Sequence, residues 1–102
     1  MAALTAQEAY DKILAYIKEK GGAYSQWYCG IAADWEDRLF NGHQIPSRAY
    51  QWWIVPGKCV SNAAARKAED ALHKLGCDGG PGGGDEATVY VYAYLKGNMT
   101  NP

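Results

Sequence analysis

The sequence predicts an α+β fold, a small, largely antiparallel three-stranded sheet packed by helices. Two segments, near residues 5–20 and 61–75, carry apolar side chains at helical spacing. A third alternates strictly, setting Val89, Val91, Ala93 and Leu95 against Tyr90, Tyr92 and Tyr94. The periodic segments run helix, strand, short helix, strand, helix, strand, with no internal repeat. At 102 residues, 48% hydrophobic, the chain reads as one domain with a modest core. It divides into an N-terminal helix over 5–20, a core over 26–75, a Gly-rich loop over 76–87 and a C-terminal strand over 88–96.

Each element has its own physical signal. Thr5 and Glu8 have capping-box spacing. Tyr10, Ile13, Leu14 and Ile17 then form one apolar stripe, and Gly21-Gly22 stops the helix. Gln26 through Ala32 reads as a strand. Asp34 caps a short helix through Trp35 and Leu39 that ends at Asn41-Gly42. Tyr50 through Val55 is apolar on both faces, as a buried strand would be, and Pro56-Gly57 closes it. Ser61 caps a helix whose stripe is Ala64, Ala68, Ala71, Leu72 and Leu75, with Gly76 as its stop. The small alanines permit close packing on a sheet.

Composition narrows the function classes. The formal net charge is −1, from 10 basic and 11 acidic side chains. That lacks the basic excess by which free-standing nucleic-acid binders neutralise phosphates. The first 20 residues carry charges throughout, which fits neither a signal peptide nor a membrane span. The 3 cysteines are widely spaced and form no CxxC pair, a pattern that fits reduced thiols and a cytoplasmic location.

One constellation carries chemistry. Tyr28-Cys29-Gly30-Ile31-Ala32 leads to Arg38, ten residues beyond Tyr28, then to His43, and Glu69 follows in a later helix. Order and spacing resemble the GIY-YIG nuclease superfamily over residues 27–75. In that family a strand bearing Tyr-x-Gly runs into a helix carrying an Arg, and a later helix offers one metal-binding Glu. The resemblance implies that Tyr28 helps activate water, Arg38 stabilises charge on a phosphate and His43 supports proton transfer. Glu69 would hold Mg²⁺ or Mn²⁺ for phosphodiester cleavage of nucleic acid. These residue types suit the task, since a guanidinium fork matches phosphate and an oxygen ligand suits a hard cation.

The family's first Gly-Ile-Tyr strand has no counterpart. Gly22-Ala23-Tyr24 stands only three residues before Tyr28, too close for a hairpin of two paired strands. The C-terminal strand is therefore expected to pair with residues 26–32 at the vacated edge, so that Tyr90, Tyr92 or Tyr94 replaces the missing tyrosine. The tyrosine face, if uncovered, would offer a ligand or partner surface centred on Tyr92. The segment from Gly76 to Gly84 holds 6 of the 12 glycines. It reads either as a linker or as an ordered turn whose Gly83 lets a ligand approach closely.

Plain structural readings stand beside these. Tyr28 also fits a half-buried strand tyrosine, Arg38 an exposed residue paired with Asp34 or Asp37, and Glu69 a partner of His73 four residues on. His43 fits a loop histidine at a helix end, and at least two of Trp27, Trp35, Trp52 and Trp53 fit the core. Two functions follow: a metal-dependent nuclease, or a non-catalytic module on the same scaffold binding a nucleotide, nucleic acid or protein. A third reading makes the chain a subunit that uses its first helix or an edge strand for self-association or another protein contact.

Overall fold

A computed structural model of the chain describes residues 3–43, 52–79 and 85–97. Helix α1 (Ala6–Lys20) begins at the expected capping box. The Thr5 hydroxyl accepts from the Glu8 N–H at 3.1 Å, and Glu8 Oε1 accepts from the Thr5 N–H at 3.0 Å. Gly21, at φ 92°, ends the helix by donating its N–H to the Ile17 carbonyl. A 3₁₀ turn leads into strand β1 (Trp27–Ala32). Asp34 caps α2 (Trp35–Asp37), which widens at once into a π turn over Arg38–Gly42. That turn closes through the His43 N–H on the Arg38 carbonyl at 2.8 Å. Strand β2 (Trp53–Ile54), helix α3 (Asn62–Leu75) and strand β3 (Tyr90–Leu95) complete the order. Ser61 Oγ caps α3 by accepting from the Ala64 N–H.

The sheet order is β1-β3-β2, antiparallel throughout. The C-terminal strand pairs with β1, as expected from the missing hairpin, setting Tyr28 opposite Tyr94 and Gly30 opposite Tyr92. It does not occupy an edge, however. With β2 beyond it, β3 is the central strand. The outer side of β1 is instead met by Asp78, which donates its N–H to the Trp27 carbonyl and accepts from the Cys29 N–H.

This arrangement corrects the expected buried strand over Tyr50–Val55. Among its described residues only Trp53 and Ile54 pair, both are half-buried, and Trp52 is exposed. Tyr50 and Gln51 lie outside the described residues. Because β3 takes the centre, an apolar run that suits a doubly covered strand ends on an edge.

Alternation then builds two cores. Trp27, Cys29, Ile31, Val91 and Ala93 meet α1 and α3 through Ala9, Ile13, Ile17, Ala65, Ala68 and Leu72. On the other face Ala32, Tyr92 and Tyr94 pack with Leu39, flanked by Tyr28, Trp35, Phe40 and Trp53. The tyrosine face is therefore covered, not open: Tyr92 is 1% exposed and Tyr94 0%. Of the four tryptophans Trp27 is fully buried, while Trp35 and Trp53 are half-buried against the second core. All three cysteines are free and buried. No helix among the described residues is long and apolar enough to cross a membrane.

Candidate functional site

The second core is organised around His43. The π turn inserts one residue relative to α-helical winding, so Leu39 and His43 both face the sheet while Arg38 stays at the surface. His43 Nε2 lies 2.7 Å from the Tyr92 hydroxyl and Nδ1 lies 3.1 Å from the Tyr94 hydroxyl. In a neutral imidazole one ring nitrogen donates and the other accepts, so one tyrosine must accept and the other donate. The half-buried Tyr28 ring lies 4.6 Å from the His43 ring and 5.3 Å from that of Tyr94, measured between centroids. His43, expected at a helix end, caps the π turn there and is also buried as a clamp between two strand tyrosines.

Gly30 makes this possible. It stands opposite Tyr92, and a Cβ built there would lie 2.6 Å from the Tyr92 hydroxyl oxygen. The phenol thus crosses β1 through the gap left by the missing side chain, toward the outer edge of the sheet. Burial pushes the Tyr92 hydroxyl well above its ordinary pKa, and neighbouring Tyr28 adds to the effect. Arg38 opposes it from within electrostatic reach, and Glu69 reinforces it from the other direction. Tyr94 is pushed the same way, by burial first. Both phenols therefore hold their protons as hydrogen-bonding groups.

Glu69 lies on α3 and is buried to 7% exposure. Among the described residues its carboxylate accepts no hydrogen bond and makes no ion pair. Burial raises its pKa; His73 and Arg66 counter that, and Asp70 adds to it. Its ligand oxygen, one from Asp70 and one ring nitrogen of His73 all lie within 4.8 Å of one another. His73 Nε2 is 2.9 Å from the Cys29 carbonyl on the outer edge of β1. A Cβ at Gly79 would run into that imidazole, so the glycine leaves room for it.

The expected residues thus fall into two groups. Tyr28, His43 and Tyr92 are in direct contact. Arg38 and Glu69 are within electrostatic reach of the Tyr92 phenol, but among the described residues neither hydrogen-bonds to it. Arg38 makes no ion pair with Asp34 or Asp37; both acids are used in the turn, accepting from the Asp37 N–H and the Asn41 amide respectively. Gly83 lies outside the described residues. The sequence reading missed the steric role of Gly30, the hold of Tyr94 on His43, and the closeness of Asp70 to Glu69 and His73. Only the last had a local signal, the Glu-Asp-x-x-His spacing on one helix face.

Glu69 and Asp70 offer carboxylate oxygens and His73 a ring nitrogen, donor types that a divalent cation takes. The chain matches no known protein family, no curated protein and no solved structure.

Proposed function

We propose that this domain is a GIY-YIG-like, metal-dependent phosphodiesterase acting on nucleic acid. The observation that carries the reading is the Gly30–Tyr92 register. It brings a second tyrosine beside Tyr28, with Arg38 and Glu69 both in electrostatic reach. A strand from the far end of the chain thereby supplies the tyrosine that a first hairpin strand would supply in the family.

In this reading Arg38, exposed and unpaired among the described residues, binds the phosphate and offsets the charge that grows on its oxygens. Half-buried Tyr28 orients the attacking water. The Tyr92–His43 hydrogen bond behind it gives a path by which a proton leaves toward the imidazole. Glu69 would hold Mg²⁺ or Mn²⁺, which when bound polarises the phosphate. Neutral net charge favours the second reading, a non-catalytic module binding nucleotide, nucleic acid or protein on the same scaffold.

Labelled single- and double-stranded DNA and RNA, incubated with Mg²⁺ or Mn²⁺ and with EDTA controls, separate the two. Metal-dependent cleavage is expected, reduced roughly 100-fold or more in folded Arg38→Ala and abolished in Glu69→Ala. A folded wild type that cuts none of these substrates would refute cleavage and leave the binding module.

A further inference from the structure

We infer that Cys29 and Cys77 form a redox-active thiol pair, which a hydroperoxide converts to a disulfide between β1 and the exit of α3. Their wide separation in sequence hides the pair, and the backbone brings it together. Gly76 ends α3 in the left-handed region, at φ 119°, and the residues after it run beside β1. Asp78 bridges Tyr28 in parallel, its N–H 2.8 Å from the Trp27 carbonyl and its carbonyl 2.9 Å from the Cys29 N–H. These two bonds hold Cys77 against the outer side of β1. Strand alternation sends Trp27 and Cys29 to one face, and Cys77 joins them in the core under α1 and α3. There the two thiols meet, the Cys29 S–H donating to the Cys77 sulfur.

That contact gives the two sulfurs different parts. Donation from Cys29 favours the thiolate of Cys77 and lowers its pKa, against the opposing effect of burial. Cys29 is pushed well up, by the same hydrogen bond first and by burial second. Cys77 is also the most accessible of the three thiols, at 6% exposed against 0% for Cys29 and 1% for Cys59. Cys59 makes a natural control: its backbone bridges Leu4 ahead of α1, and burial pushes its thiol up.

The chemistry balances with one hydroperoxide, here hydrogen peroxide. The Cys77 sulfur attacks one peroxide oxygen, the O–O bond breaks and water leaves, giving a sulfenic acid. The Cys29 sulfur then attacks that sulfur, the S–O bond breaks and the second oxygen leaves as water. Both thiol protons end in the two waters, and the peroxide takes up the two electrons that the sulfurs lose. A dithiol reductant reverses the bond by exchange. The sulfurs need only close from contact to bonding distance, about 2 Å. None of this rests on the nuclease reading.

The test treats the reduced, intact chain with hydrogen peroxide, blocks remaining thiols with N-ethylmaleimide and maps the digest by mass spectrometry without reductant. A Cys29–Cys77 cross-link lacking two hydrogens is expected, with Cys59 still alkylated and the bond undone by dithiothreitol. Cys77 should react roughly tenfold or more faster than Cys59 in the folded chain, and the difference should vanish in urea. Cys29→Ala, folded by circular dichroism, should stop at a Cys77 sulfenic acid that dimedone captures, while Cys59→Ala should leave the cross-link unchanged. Three results would overturn the inference. They are Cys59 oxidising as fast as Cys77, Cys77 joining another chain in place of Cys29, and all three thiols staying reduced until the chain is unfolded.

Discussion

Replacing Gly30 by alanine tests the feature on which the site turns. The new Cβ would stand 2.6 Å from the Tyr92 hydroxyl oxygen, 2.8 Å from Cζ and 3.3 Å from Cε2. The nearest contact falls short of ordinary packing distance, 3.4 Å at the least, by about 0.8 Å. Tyr92 is fully buried and its hydroxyl is held by His43 at 2.7 Å, so the ring cannot yield without breaking that bond. Overpacking of this kind costs about 1–3 kcal/mol. A buried polar group left unpaired costs roughly the same again. Alanine recovers about 0.5–1 kcal/mol over glycine within a strand. The net destabilisation should be about 2–4 kcal/mol, read as a lower urea midpoint at unchanged slope. In a Tyr92→Ala background the same substitution should cost little, and the coupling is measured by the double-mutant cycle. An equal cost in both backgrounds, or a Gly30→Ala protein as stable as wild type, would show that the phenol does not lie across β1.

Two further outcomes follow from packing and charge. Leu39 is fully buried at the point where the π turn meets the tyrosines, so Leu39→Ala should lose about 2–5 kcal/mol in chemical denaturation and free the His43 ring. Glu69 has a folded-state pKa raised above its unfolded value by burial, so its ionisation costs stability as pH rises through the interval between the two. In EDTA, Glu69→Gln should therefore be more stable than wild type at neutral pH. The advantage should vanish below the ordinary glutamate range. A constant difference across acid and neutral denaturation curves would refute that account.

The helices were legible because their signals are local. Thr5 with Glu8, Ser61, Gly21 and Gly76 sit within a turn of the groups they satisfy. The pairing of β3 with β1 was legible for another reason: no segment next to β1 in sequence is placed to form a hairpin with it, so its partner had to come from farther along the chain. What stayed hidden depends on distant parts of the chain. Alternation in Tyr90–Leu95 reads the same whether the tyrosine face meets water or a second core, and only the π turn near Leu39 decides it. His43 carries no sequence mark of its clamp, because both its partners lie about fifty residues away. The run before Pro56 misled because hydrophobicity records the wish to be covered, not the number of neighbours available.

The central position of β3 also constrains how the domain comes into being. Among the described strands, neither β1 nor β2 pairs with the other; each pairs with residues 90–95, and Asp78 bridges the outer side of β1. During synthesis α1, β1 and α3 emerge first, and α1 can already pack against α3, but the sheet has no middle. Both strand-to-strand ladders wait for β3, so closure of the sheet is a long-range event and comparatively slow. Until then the backbone of β1 faces solvent on the side β3 will take, and the Tyr92–Gly30 crossing forms in the same step that completes the fold. Maturation of the candidate site and completion of the sheet are one event, and a chain cut before Tyr90 would have neither.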